Sequence, residues 1–231
     1  MRIECLGTGS KGNHFKIINN KGNILLVELG LPLNDILKGL DLSKVQGCVV
    51  SHNHQDHNYK GNVKKLASFG IPMLTTENGV VGKKTDLGDF SIIPIPCQHN
   101  IKCYGYLINV DNYVIMFATD TKQLPIIKNM QIDIFMVEVN YIESMVNDVL
   151  KDIDALDPKL AYESRVLITH NSLENTITYF ENLNYKPIYI LPIHASDNKN
   201  HYSWWQVQND LKPYAKCVEI FEKGKVFEIW K

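Results

Sequence analysis

The sequence predicts a layered α/β fold in which sheets are covered by helices. Short apolar runs bounded by Gly, Pro, Asn and Asp alternate with amphipathic stretches in both halves of the chain. Polar residues able to bind metal follow the ends of several of those runs: His52, His99, Asp120 and His194. With 231 residues, 45% of them hydrophobic and 21% charged, the chain is long enough for one large domain over residues 1–231 with a substantial core.

Taken in order, Ile3–Leu6 reads as a strand, followed by the glycine-rich Gly7–Asn13. That segment is either a turn between strands or a phosphate cradle, and its spacing matches no established nucleotide pattern. Phe15–Ile18 and Ile24–Leu29 form a hairpin around Asn19–Asn23. Pro32 suits the first turn of a helix reaching about Leu40. Val45–Val50 is a buried strand, Tyr59–Phe69 a helix, Ile71–Thr75 a short strand and Glu77–Lys83 a weak helix. Phe90–Pro96 belongs at a sheet edge, because Pro94 cannot donate to a ladder. Cys103–Val110 and Asn112–Ala118 pair around Asp111-Asn112, and Asp133–Val139 is a further apolar strand. Tyr141–Lys151 and Lys159–Val166 read as helices, while Val166–His170 is ambiguous. Asn171 or Ser172 caps a helix to Leu183, with Glu174 in its first turn. Pro187–Ile193 is a strand and Trp204–Leu211 a helix. Cys217–Phe221 with Val226–Trp230 then makes a closing hairpin around Lys223-Gly224.

Composition excludes several classes. No apolar run approaches a membrane span, and Glu4 interrupts the place where a signal peptide needs an apolar stretch. The five cysteines contain no CxxC pair and read as free thiols in a reducing cytoplasm. A net charge of −1 and a pI of about 6.7 argue against a protein built to grip long nucleic acid. Only two cationic residues are arginine, Arg2 and Arg165, a bias of A/T-rich coding such as that of low-GC bacteria and their phages.

Ser51-His-Asn-His-Gln-Asp-His57 carries the chemistry. A strand cannot aim His52, His54 and His57 at one point, because its side chains alternate faces and His57 breaks the parity. The strand must therefore end near Ser51 and leave the ligands on a loop. Imidazole suits zinc and its neighbours, and a carboxylate suits harder ions. The mixture points to two adjacent metals, one on His52 and His54 and the other on Asp56 and His57. His194 and His170 both end apolar runs and compete for a ligand role.

His52-Asn-His-Gln-Asp-His57 resembles the HxHxDH signature of the metallo-β-lactamase superfamily, and the later strand-end residues fall in that family's order over nearly the whole chain. The resemblance implies a four-layer αββα sandwich with a dinuclear site at one edge. It implies that His52, His54 and His99 hold the first of two divalent ions, zinc or manganese. By the same resemblance Asp56, His57 and His194 hold the second, and Asp120 bridges both. Asp56 and His170 are the expected catalytic residues. His170-Asn-Ser172 resembles an element of the family's phosphodiesterase branches, in which the histidine protonates a leaving oxygen. Gly7–Asn13 with Glu138-Val-Asn140 resembles the YycJ-like and RNase Z-like branches. Glu28 stands where the family usually has Asp.

These features imply a cytoplasmic metal-dependent phosphodiesterase acting on a small nucleotide, with nucleic acid a less fitting substrate. In this the chain looks like the phage enzymes that destroy cyclic-nucleotide alarm signals, which would act in the host cytoplasm. Tyr104, Tyr106, Tyr202, Trp204 and Trp205 are candidates for base stacking, or else for core or dimer contacts. Trp204-Trp205 makes a homodimer an expectation. The rival readings are a nuclease, a lactone or thioester hydrolase, and a protein that sequesters nucleotide without cleaving it.

Overall fold

The first apolar runs fold as strands β1 (Arg2–Gly7), β2 (His14–Ile18) and β3 (Ile24–Val27) in the computed structural model, which describes residues 1–151, 153, 157 and 159–229. Helix α1 (Leu33–Leu37) leads to β4 (Val45–Val49), and α2 (Asn62–Ala67) to β5 (Met73–Leu74). A meander follows: β6 (Thr85–Leu87), β7 (Phe90–Cys97), β8 (Cys103–Val110) and β9 (Tyr113–Ala118). Next come β10 (Ile134–Glu138), α3 (Glu143–Lys151), α4 (Lys159–Thr169) and α5 (Leu173–Glu181). The chain ends with β11 (Tyr189–Ile193), α6 (Trp204–Leu211), β12 (Cys217–Val218) and β13 (Val226–Glu228).

Two sheets result. One runs β13-β1-β2-β3-β4-β5 and the other β12-β11-β10-β9-β8-β7-β6. In each, an antiparallel meander passes into parallel strands: β3, β4 and β5 in the first, β9 to β12 in the second. Parallel strands covered on both faces read as continuous apolar runs, and β10 obeys this. Its Ile134 and Met136 enter the core between the sheets, while Phe135 and Val137 face the helices. Between the sheets Phe15, Leu25 and Val49 meet Phe90, Tyr106, Phe117 and Met136. Outside the first sheet, Ile36 of α1 and Leu66 of α2 cover Leu26 and Cys48. Outside the second, Leu173 and Phe180 of α5 and Val207 and Leu211 of α6 cover Phe135 and Val137. The layers are therefore αββα.

Local signals set several boundaries. Asp111 and Asn112 both adopt positive φ, 50° and 65°, as a two-residue hairpin turn demands. Ser172, not Asn171, caps α5, accepting from the Asn175 amide at 3.0 Å. The ambiguous Val166–His170 run belongs to α4 as far as Thr169, so His170 follows a helix.

Elsewhere the sequence reading is corrected. Glu77–Lys83 forms turns, not a helix. The Tyr59–Phe69 helix shrinks to α2, because Lys60 and Gly61 take left-handed φ of 46° and 71°. The closing hairpin does not exist: β12 pairs with β11 in one sheet and β13 with β1 in the other, so the last turn crosses between layers. Trp230, the expected end of that run, lies outside the described residues. The edge strand is the unforeseen β6, which pairs with β7 only at Phe90–Ile92. Pro94 sits beyond that pairing, and its carbonyl accepts from the Gly82 amide at 2.9 Å.

Candidate metal centre

Both sheets deliver polar residues to one rim. The parallel strand β4 ends at Val49, and residues 51–57 turn away as a loop. His57 and Asn58 both donate their amides to the His54 carbonyl, at 3.0 and 2.8 Å. This is the loop that the parity of the three histidines requires. The ends of β7, β9, β10 and β11 bring in His99, Asp120, Glu138 and His194. Glu28, Asp120 and His194 each hold a left-handed backbone, with φ of 61°, 47° and 55°. Such non-glycine conformations cost on the order of 1–3 kcal/mol each and persist where the surroundings enforce them.

The donor atoms fall into overlapping sets. One atom each from His52, His54 and His99 lie within 4.8 Å of one another, and so do one each from Asp56, His57, Asp120 and His194. A third set joins Asp120, Glu138, His170 and His194. In the first, His54 Nδ1 faces His52 Nε2 at 3.0 Å and His99 Nε2 at 3.3 Å. In the second, His57 Nε2 lies 3.2 Å from Asp56 Oδ2 and 2.5 Å from Asp120 Oδ2, and His194 Nε2 lies 3.5 and 3.6 Å from the same oxygens. Asp120 Oδ2 is also 3.9 Å from His52 Nε2, so this carboxylate stands between the sets.

In His52, His57 and His194 the ring nitrogen that faces away from the centre is held by another partner, the pattern expected of metal-ligating imidazoles, whereas His99 Nδ1 is buried without one. Ser51 Oγ lies 2.9 Å from His52 Nδ1. Glu28 Oε2 lies 3.2 Å from His57 Nδ1, while its Oε1 accepts from the Ser51 amide at 3.1 Å. Glu138 Oε1 meets His194 Nδ1 at 3.0 Å and His170 Nδ1 at 2.6 Å.

Electrostatics divides the rings. Burial drives His52 down to about 2, with His57 beside it adding to the effect. Burial opposes charge on His57 and His194 too, but neighbouring carboxylates win. Asp120 and Glu28 hold His57 well above its ordinary value, and Asp120, Asp56 and Glu138 raise His194 to about 10. Burial disfavours the charged form of Asp120, yet His194 and His57 hold it well below the carboxylate range. Asp120 Oδ2 and His194 Nε2 are buried without a properly aligned hydrogen-bond partner. Carboxylate oxygens and ring nitrogens crowded on one buried point, with two of these atoms unsatisfied, fit a divalent cation.

No protein-family model and no curated protein sequence matches the chain. Solved structures do. YhfI from Bacillus subtilis, described as a metallo-β-lactamase fold protein, superposes with a TM-score of 0.69 at 15% identity over 99% of both chains. A metallo hydrolase from the archaeon Ignicoccus hospitalis gives 0.63 at 15% identity over the whole of both. A diphosphatase of the PhnP family gives 0.61 at 14% identity over 99% of this chain and 98% of that one. This chain has the metallo-β-lactamase fold.

Within that fold, every sequence-predicted site residue converges: His52, His54, Asp56, His57, His99, Asp120, His170 and His194. His170 and His194 do not exclude each other; their rings stack at 5.5 Å with 18° between planes. The glycine-rich segment packs against the centre, with Thr8 Oγ1 accepting from the His194 amide at 2.8 Å and Ser10 lining the cavity. Asn13 folds the segment by accepting from Gly9 N at 2.8 Å, and its amide group reaches the Asp56 carbonyl at 3.2 Å. A side chain at Gly30 would collide with the Asp56 carbonyl, so a glycine there lets the metal loop approach.

The cavity over the centre has a volume of about 410 Å³, a small-molecule size. Asp56, Asp120, His170 and His194 line it, with Arg165 of α4 and Asn100 at its walls. None of the five aromatic candidates lines it. Tyr104, Tyr106 and Tyr202 are buried, Trp204 packs on Tyr202 at 4.6 Å, and the exposed Trp205 lies elsewhere. Their expected stacking role is not supported by this geometry. The residue that sequence reasoning left out of the site is Glu138. The sequence offered it only within the Glu138-Val-Asn140 resemblance, with no role at the site, yet it is fully buried between two imidazoles.

Proposed function

We propose that this chain is a metal-dependent phosphodiesterase acting through two divalent ions, zinc or manganese, on a nucleotide phosphodiester. His52, His54 and His99 would hold one ion, Asp56, His57 and His194 the other, and Asp120 both. The carrying observation is the position of Asp120 between an all-imidazole and a mixed donor set, with His170 held 3.2 Å from its Oδ1. Ions bound there supply reactive water near neutral pH and neutralise charge on a phosphate oxygen.

The remaining steps belong to the chain. Glu138 grips His170 Nδ1, which leaves Nε2 as the nitrogen able to offer a proton to a departing ribose oxygen. Arg165 lines the wall of the cavity and supplies a planar fork suited to a phosphate oxygen pair. Asp56, on the cavity floor, completes the second donor set and orients the attacking side. The reading is supported by the names of two proteins of similar fold, the PhnP-family diphosphatase and the short form of human tRNase Z, the latter at 12% identity and a TM-score of 0.54 over both whole chains.

A cavity of about 410 Å³ favours a small substrate, and 3′,5′-cyclic mononucleotides are our first choice. Among the described residues no Tyr, Trp or Phe lines it, which favours a second reading, a nuclease that holds its substrate by the phosphates alone. One panel decides. The zinc- or manganese-loaded protein is incubated separately with cyclic AMP, GMP, UMP and CMP, labelled RNA and DNA, and a lactone. Turnover of cyclic nucleotides is expected. Turnover of polymer alone establishes the nuclease, and turnover of the lactone alone overturns the phosphodiesterase. Tight nucleotide binding without turnover makes the protein a sequestering one.

A further inference from the structure

We infer that Cys97 and Cys103 form a redox-sensitive pair whose oxidation weakens metal binding by His52, His54 and His99. The inference rests on the reading of those histidines as a metal site.

Strand β7 ends at Cys97 and β8 begins at Cys103, and the antiparallel register places the two residues directly opposite one another. Directly opposed residues share a face, with Cα atoms about 4.5–5.5 Å apart. That separation lies inside the range of about 4.4–6.8 Å that a disulfide spans. A Cβ added at Gly105 would sit 3.3 Å from Cys97 Sγ, so the absent side chain leaves the sulfur room beside Cys103. Both thiols are free. Cys97 is half-buried, open enough for a small oxidant, and Cys103 is buried behind it.

The pair frames the first donor set. His99 stands in the short connection between the two cysteines. That connection is pinned to the Asp120 region: Gln98 donates to Thr121 Oγ1 at 3.0 Å and accepts from Lys122 at 3.0 Å. Cys103 Sγ lies 3.7 Å from His52 Nδ1, the nitrogen that faces away from the centre. A bond between the sulfurs draws Cys103 from the His52 ring and ties together the two ends of the connection that carries His99. Two of three imidazoles in one donor set thereby lose their reduced-state support through a single covalent change.

The oxidant is a peroxide. Cys97 sulfur takes one peroxide oxygen, the O–O bond breaks and water leaves, giving a sulfenic acid. Cys103 sulfur then attacks Cys97 sulfur, the S–O bond breaks and a second water departs with the Cys103 proton. Two electrons pass from the thiols to the peroxide.

The full-length zinc-loaded protein is treated with hydrogen peroxide, digested with trypsin and mapped by mass spectrometry. Lys102 separates the two cysteines, so the linked peptides are joined only by the disulfide. We expect a Cys97–Cys103 cross-link, about tenfold weaker zinc retention against a chromogenic chelator, and restoration by dithiothreitol. Cys97→Ser should retain zinc under peroxide, while Cys217→Ser should behave as the parent. Absence of the cross-link, or a cross-link with unchanged zinc retention, overturns the inference. A reduced protein that binds no zinc overturns the metal reading and with it the control of zinc. The cross-link map then reports the cysteine pairing by itself.

Discussion

His52 and His57 sit on one loop with ring centroids 4.2 Å apart, yet their surroundings push them in opposite directions. His52 belongs to a cluster of imidazoles, where burial and neighbouring rings keep it neutral and its lone pair available. His57 belongs to a cluster with Asp56 and Asp120, backed by Glu28, and there the carboxylates favour a proton on the ring. The first donor set is preorganised as bases. The second is preorganised as a charge network that holds itself together with protons until a cation replaces them. Burial is common to both, so the sign of each shift is decided by where the carboxylates lie.

Removing the carboxylate shared by both regions should have the largest effect. Asp120→Ala deletes the contact to His57 Nε2 and the approach to His52 and His194, and removes the carboxylate that does most to compensate charge on the buried His57 and His194 rings. Metal content measured by atomic emission should fall to less than one ion per chain, with activity below detection. If the variant keeps two ions, Asp120 is not the element joining the regions. His170→Ala should have the next largest effect, because it stands outside both donor sets of the proposed ions. It should retain metal and lose about 10²–10⁴-fold in kcat, the range for a proton donor. Glu138→Gln should reproduce part of that loss, since it keeps shape but weakens the grip on His170 Nδ1. Loss of metal in His170→Ala would make His170 a ligand and shift the boundary between the regions.

The same contrast explains what the sequence made legible. The metal loop with His52, His54, Asp56 and His57 could be read locally, because three histidines of mixed parity cannot belong to a strand, whereas His99 joined the first set only through the family resemblance. The layered fold was legible because strands buried on both faces are continuous apolar runs. The closing strands were misread because Cys217–Phe221 and Val226–Trp230 flank a good turn, and only long-range pairing sends them to different sheets. Glu138 was noticed within a motif but given no role at the site, for a related reason. Its importance comes from two histidines that are 32 and 56 residues away in the chain. Glu28, standing where the family usually has Asp, has the longer arm. In the structure a left-handed backbone at Glu28, whose carbonyl accepts from His14 Nδ1 at 2.6 Å, accompanies a carboxylate that still reaches both His57 and Ser51.

The smallest expected effect is on stability, and it separates the two regions by pH. His194 is raised from 6.5 to about 10 in the folded chain. In the metal-free protein its pairing therefore stabilises fully below about 6.5 and is lost as pH climbs through 10. His52 is lowered from 6.5 to about 2, and His14 to about 4. The unfolded chain takes up those protons below about 6.5 while the folded chain does not, so stability also declines toward acid. The chelated protein should thus melt highest near pH 6.5, with a falling arm on each side. Zinc displaces the proton from His194, so the metal-loaded protein should lose the alkaline arm and keep the acid one, and zinc affinity should rise over the interval in which the chelated protein weakens. Melting curves from pH 5 to pH 10, with chelator and with zinc, measure both arms. A chelated protein whose melting temperature stays flat between pH 7 and pH 10 would mean that the carboxylate-rich region does not hold its imidazoles protonated.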